Sequence, residues 1–232
     1  MATRTPIIVD EWYHCFNRGV DKRRVFVSSE DYERFLALLY ICNGTHNIRL
    51  SERYSSKLLD VLADKTLDRG ETLVELGAYA LMPNHIHLLC KEIHKGGIAV
   101  FMQKVLTGYT MYFNKKYKRT GPLLSGVFKS RHVDEDRYFK QVVSYILLNP
   151  AELYEPGWKE GKGDIIKLKK KLLNYKYASL ADFMGNDRPE GKIVSDLSDY
   201  YDNKPSLAQL IRDAHEYYES RAAETPTPKV SP

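Results

Sequence analysis

At 232 residues, 43% hydrophobic and 28% charged, the chain has the make-up of one globular domain with room for an appendage, and nothing in it calls for oligomerisation to complete a core. Three widely spaced cysteines, Cys15, Cys42 and Cys90, without a C-x-x-C pair, exclude a disulfide framework and a cysteine zinc site. The absence of any long apolar run argues against a membrane span or secretory leader, so a cytoplasmic protein without membrane contact is expected. The net charge of +5 is modest but uneven. Ile93 to Val133 holds no Asp or Glu, while Lys95, Lys104, Lys115, Lys116, Lys118, Arg119, Lys129 and Arg131 fall inside it among Tyr112, Tyr117 and Phe128. That pattern suits a surface that neutralises phosphates and stacks bases, with a solvated lysine face as the plain alternative.

In chain order, residues 1–10 read as an N-terminal arm. Glu11 to Arg18 is short, aromatic and closed by Gly19, which predicts a first strand, with His14 as a core or supporting histidine rather than a ligand. Ser28-Ser29-Glu30-Asp31 is an N-cap followed by first-turn acids, and Tyr32, Phe35, Leu36, Leu39 and Tyr40 recur at helical spacing. Residues 43–70 are polar and read as an inserted loop with a short helix over Ser55 to Ala63. Leu73–Leu81 and His85–Glu92 predict two antiparallel strands turning at Met82-Pro83-Asn84.

The second of these strands carries His85 and His87 at i,i+2. Both imidazoles face the same side, with Cα atoms roughly 6 to 7 Å apart, near enough for one divalent ion, while Ile86, Leu88 and Cys90 face a core. H-x-H is equally the exposed face of an edge strand, and two ligands do not make a site.

Gly96-Gly97 opens a long helix whose stripe of Ile98, Phe101, Met102, Val105, Tyr109, Tyr112 and Phe113 assigns Tyr109 to the core. Gly126–Val133 predicts a further strand with alternating basic residues. Asp134-Glu135-Asp136 then starts a helix that Pro150 stops after Asn149. Its apolar stripe is Phe139, Val142, Val143 and Ile146, and Tyr138, Gln141, Tyr145 and Asn149 share one flank, the last two a turn apart. Tyr145 lies about 6 Å along the axis from Asn149 and Tyr138 roughly 16 Å, so Tyr145 is the better placed phenol. A second basic run covers Lys162 to Lys176, Asp182 to Asp202 is acidic, and residues 184–232 read as a C-terminal extension with a disordered tail from about 222.

A phenol, with a pKa of about 10, is a weak nucleophile at neutral pH, but beside a divalent ion that polarises a phosphodiester it can attack phosphorus. Tyr13-His14, Asn17-Arg18-Gly19, Phe26, Asp31-Tyr32, Met82-Pro83-Asn84-His85-Ile86-His87, Gly121-Pro122, Gly126, Phe128-Lys129-Ser130, Tyr145 and Asn149-Pro150 together resemble the REP-associated tyrosine transposases, of the single-tyrosine HUH endonuclease group. The resemblance runs from about Tyr13 to Phe183. It implies an α+β domain over residues 11–183, a mostly antiparallel sheet flanked by helices around a ferredoxin-like core, with the nucleophile on a helix against the sheet. It also implies Tyr145 as nucleophile and His85, His87 and Asn149 as ligands of Mg²⁺ or Mn²⁺. The expected reaction is cleavage of single-stranded DNA beside short imperfect-palindrome hairpins, leaving the 5′ end on tyrosine and a free 3′ hydroxyl, in a nucleoid-associated protein. Lys104, Lys115, Lys116, Arg119, Lys129 and Arg131 are the candidate DNA contacts. The 43–70 segment is longer than in the shorter relatives, and nothing after Phe183 matches a motif. A hairpin-binding protein that keeps the fold without cleaving is the alternative; a metal hydrolase using water, or a relaxase or replication initiator, are others.

Overall fold

The computed structural model describes residues 6–50, 57–160 and 165–224. The start of the helix expected from Ser55, the head of the basic run at Lys162 and the tail beyond residue 224 lie outside them. Strand β1 (Trp12–Arg18) is followed by helix α1 (Ser29–Ile41), and α2 (Leu58–Ala63) sits within the polar 43–70 segment. Next come β2 (Val74–Met82), β3 (His85–Glu92), α3 (Gly97–Lys116) and β4 (Lys129–Val133). The strands lie in the order β2-β3-β1-β4 with every neighbour antiparallel. With α1 and α3 as the connections this is a βαββαβ unit of ferredoxin-like topology. The fold is therefore α+β, an antiparallel sheet flanked by helices.

The alternation of side chains along each strand divides the sheet into two faces. Tyr13, Cys15, Leu76, Tyr79, Ile86, Leu88 and Cys90 form the first, packed against Phe35, Leu36 and Leu39 of α1 and Phe101, Val105 and Tyr109 of α3. Trp12, Ala78, Ala80 and Leu89 belong to the second. A bulge at Gly77 shifts the β2 register between Leu76 and Ala78, which lets β2 feed large residues to one face and alanines to the other. A Cβ on Gly77 would come within 3.0 Å of Trp12 and Leu197.

Those small alanines make room for α4 (Asp136–Leu148), whose Phe139, Val142, Val143 and Ile146 pack on the second face. After the short helices α5 (Lys169–Leu173) and α6 (Leu180–Phe183), α7 (Leu207–Glu224) lies on the outer side of α4 with Leu210, Ala214 and Tyr217 in the same core. Residues 184–224, which carry no motif, thus supply part of a hydrophobic core. The outer edge of β2 is occupied by a returning segment: Tyr177 O accepts from Leu81 N, Ser179 N donates to Tyr79 O and Ser195 N to Leu76 O. Among the described residues no helix is long and apolar enough to cross a membrane.

Candidate active site

Strand register decides what stands beside the histidine pair. Across β1–β3, Phe16 pairs with His87 and Arg18 with His85; across β1–β4, His14 pairs with Arg131 and Phe16 with Lys129. Paired residues share a face, so His14, Phe16, Arg18, Lys129 and Arg131 join His85 and His87 on the second face. The C-terminal end of α4 crosses this group. Tyr145 brings its hydroxyl to 3.2 Å from His87 Nε2, and Asn149, one turn on, brings Oδ1 to 3.3 Å from His85 Nε2. Pro150, directly after Asn149, lies in the short 3-10 turn Asn149–Leu153 that replaces the α-helix there, so the amide is presented at a helix end.

Burial pushes the His85 pKa down to about 4 and His14 to about 3, with Arg131 adding to the fall at His14. Burial, and then the neighbouring His14 and His85, take His87 well below its ordinary value. All three rings are neutral at neutral pH and each has a single N–H. His14 Nε2 and His87 Nδ1 are 2.8 Å apart and share one proton. With that proton on His87 Nδ1, the His87 Nε2 lone pair accepts from the Tyr145 hydroxyl. Burial raises the Tyr145 pKa above that of an ordinary phenol, so it is a protonated donor.

The His85 ring has an amide oxygen at each end: Asn84 Oδ1 is 2.6 Å from Nδ1 and Asn149 Oδ1 is 3.3 Å from Nε2. One N–H satisfies one of them, and the shorter contact takes it. At the other, the nitrogen lone pair faces the oxygen of Asn149, while Asn149 Nδ2 is buried without a partner among the described residues. Two facing lone pairs repel unless a cation lies between them. Turning the amide over would instead let Nδ2 donate to Nε2, so the site has a satisfied arrangement without a cation and a ligating one with it. Two imidazole nitrogens and an amide oxygen fit a divalent ion that accepts mixed N and O donors. Among the described residues no cluster of three or more His, Cys, Asp or Glu side chains could hold a metal, so such a site depends on the amide. The lone pair of His87 Nε2 cannot both bind an ion and accept from Tyr145; ligation there frees the phenol.

The six lysines and arginines read as DNA contacts separate into two groups. Lys129 is exposed and Arg131 half-buried on the β4 face beside the histidines. Lys104, Lys115 and Lys116 are on α3, against the opposite face. Lys104 donates to the carbonyls of Gly44 and His46 at 2.5 and 2.8 Å. Lys116 donates to Asp31 at 2.8 Å, Glu30 at 2.9 Å and Ser28 at 3.0 Å, and Arg119 to Asn114 and Pro122. Lys115 is exposed.

Residues outside the sequence-derived set also reach the site. Tyr217 and Tyr218 of α7 pack on Tyr145 with ring centres 4.3 and 5.3 Å away. Leu207, Leu210, Ala214 and Tyr217 recur at helical spacing, a signal of a helix but not of what it covers. His14 touches His87, and Arg18 stands next to His85, a neighbour that only the strand pairing specifies.

No protein-family model matches the sequence, and no curated protein matches it. A solved structure of a REP-associated tyrosine transposase bound to a REP hairpin is similar over 89% of this chain and 98% of its own, at 12% identity and a TM-score of 0.48.

Proposed function

We propose that the protein is a metal-dependent endonuclease and strand transferase of the REP-associated tyrosine transposase type, cutting single-stranded DNA beside short palindromic hairpins through a 5′-phosphotyrosine on Tyr145. The observation that carries this reading is the meeting of two distant motifs: the Tyr145 hydroxyl at His87 and the Asn149 amide oxygen at His85, contacts of 3.2 and 3.3 Å. A structural tyrosine needs no such surroundings.

His85, His87 and Asn149 would hold Mg²⁺ or Mn²⁺, which when bound polarises the phosphodiester and offsets negative charge as the phenol ionises. Tyr145 then attacks phosphorus: an O–P bond to the phenol forms, the P–O3′ bond breaks and its electron pair stays on the 3′ oxygen. The phenolic proton goes to solvent and the 3′ oxygen takes one up, so no net proton is consumed. His14 fixes the orientation of His87 through their shared proton. Tyr217 and Tyr218 keep the phenol ring packed against α7. The bond energy is conserved in the phosphotyrosine, so rejoining to another 3′ hydroxyl needs no nucleotide triphosphate.

The test is covalent capture. With Mn²⁺ and a pool of 3′-labelled single-stranded hairpins with randomised flanks, the wild-type protein should carry label through a denaturing gel, and Tyr145→Phe should lose the adduct, by at least about 10³-fold, while binding the same pool. Binding without an adduct in the wild type would leave a hairpin-binding protein. An adduct that survives in Tyr145→Phe and disappears in Tyr138→Phe would move the nucleophile.

A further inference from the structure

Three features single out Arg18. It pairs directly with His85 across β1–β3 on the face of the site, and its side chain is exposed. Its backbone is pinned on every side. Arg18 N donates to Asn17 Oδ1 at 2.8 Å, Arg18 O accepts from Ser125 N at 2.8 Å, and Gly19 N donates to Asn84 O at 2.9 Å. Asn84 is also the residue whose side chain meets the His85 ring. Gly19 has to be glycine, because a Cβ there would run into the carbonyl oxygen of Arg23. The root of the Arg18 side chain and the His85 ring are therefore fixed to the same turn.

Charge points the same way. Arg18, Lys159 and Glu152 all act on the His85 ring, and Lys159 and Glu152 are paired with each other. Among the described residues Arg18 has no ion-pair partner, which leaves it as an uncompensated cation, and the one paired in the sheet with a ligand histidine, at the rim of a site built from uncharged imidazole, amide and phenol groups. A guanidinium held rigidly at its base and unpaired at its tip is suited to a phosphate, whose oxygens it can grip two at a time.

We infer that Arg18 is a catalytic residue that grips a non-bridging oxygen of the scissile phosphate as Tyr145 attacks. The inference rests on the proposed phosphotyrosine reaction. As phosphorus becomes five-coordinate, charge grows on its non-bridging oxygens, and a pre-placed guanidinium favours that state over the starting diester. Lys129, on the same face one strand further out, tracks the backbone of the same DNA strand but is not paired with a ligand histidine in the sheet.

The experiment uses the full chain, Mn²⁺ and the hairpin pool, with single-turnover adduct formation and equilibrium binding read separately. Arg18→Ala should slow adduct formation about 10²–10³-fold and change hairpin affinity by less than about threefold; Arg18→Lys, which keeps the charge but not the fork, should recover only part of the rate. A second readout uses a substrate isolated from the pool, remade with a methylphosphonate at the cut position. It lacks one charged oxygen, so the penalty of Arg18→Ala should shrink on it. If the wild type forms the adduct and Arg18→Ala matches it, or if the penalty is the same on both substrates, Arg18 does not touch the scissile phosphate and the phosphotyrosine reading stands. If the wild type forms no adduct on any hairpin, the reading itself fails and the role of Arg18 falls with it.

Discussion

On the face of the sheet covered by α1 and α3, a buried charge is met from every direction. Asp31, fully buried, accepts from Val27 N, Ser28 N, Lys116 Nζ and the Tyr112 and Tyr117 hydroxyls at 2.7–3.1 Å. Burial alone would raise its pKa, but the bonds from Lys116, Ser28 and Tyr117 hold it below the ordinary value. On the face covered by α4 and α7, buried polar atoms are left over: His14 Nδ1, Asn149 Nδ2, Trp158 Nε1 and the Tyr218 hydroxyl have no partner among the described residues. Each such atom costs stability, on the order of 1–3 kcal/mol. The first face leaves one such atom, Arg34 Nε, whose guanidinium lies 5.1 Å over the Tyr112 ring, while Asp31 and its partners hold the helices together. The second keeps several unpartnered, which is what a ligand site requires.

The contrast can be broken most heavily at Lys116. Lys116→Met leaves the Asp31 carboxylate buried without its cation, and urea denaturation should register a loss of about 3 kcal/mol. Adduct formation at low temperature should be unchanged, because the network lies across the sheet from Tyr145. A drop in hairpin affinity at unchanged stability would instead make Lys116 a DNA contact.

His14→Phe probes the other face. It removes the partner of His87 Nδ1 together with an orphaned nitrogen, so Mn²⁺ affinity by calorimetry should fall about 10–100-fold, or about 1.4–2.7 kcal/mol, with the melting temperature roughly held because one orphaned nitrogen replaces another. Unchanged affinity would mean that His14 does not orient His87.

The effect that accrues most gradually is the pH dependence of the metal-free protein. His85 and His14 have folded pKa values of about 4 and about 3, below the value near 6.5 in an unfolded chain. As pH falls, the unfolded chain takes up these protons first, so their contribution, full above about pH 6.5, is lost on descending toward pH 4. The slope is about 1.4 kcal/mol per pH unit for each histidine. His85→Gln should remove one such slope between pH 6.5 and 4; an unaltered profile would place His85 in contact with solvent.

The elements that bear the site are legible because they are local. A period of two sets His85 and His87 on one side of a strand, a period of 3.6 places Tyr145 off the apolar stripe of α4, and Pro150 ends that helix. Their meeting is not local, since Tyr145 and His87 are 58 residues apart, and the β2-β3-β1-β4 order makes Arg18 a neighbour of His85. Charge misleads where topology is unknown. An acid-free run looks like one surface, yet it passes from α3 on one face to β4 with side chains on the other, and Lys104 and Lys116 are taken up by carbonyls and carboxylates of their own layer. The 184–224 region shows the reverse: an amphipathic spacing without chemistry, in a helix that packs directly on Tyr145.

The charge of strand β4, at one end of the sheet order, bears on how copies of the chain treat one another. Its five residues, Lys129 to Val133, include a lysine, an arginine and a histidine. If two copies joined edge to edge, antiparallel about the strand midpoint, Arg131 would lie against Arg131 on the same face, and like charges directly opposite are destabilising. Basic side chains on an edge strand are a recognised guard against sheet extension. The side chains that make this rim attractive to a polyanion therefore also keep the sheet from growing into a seam, so crowding at high concentration should not lengthen it.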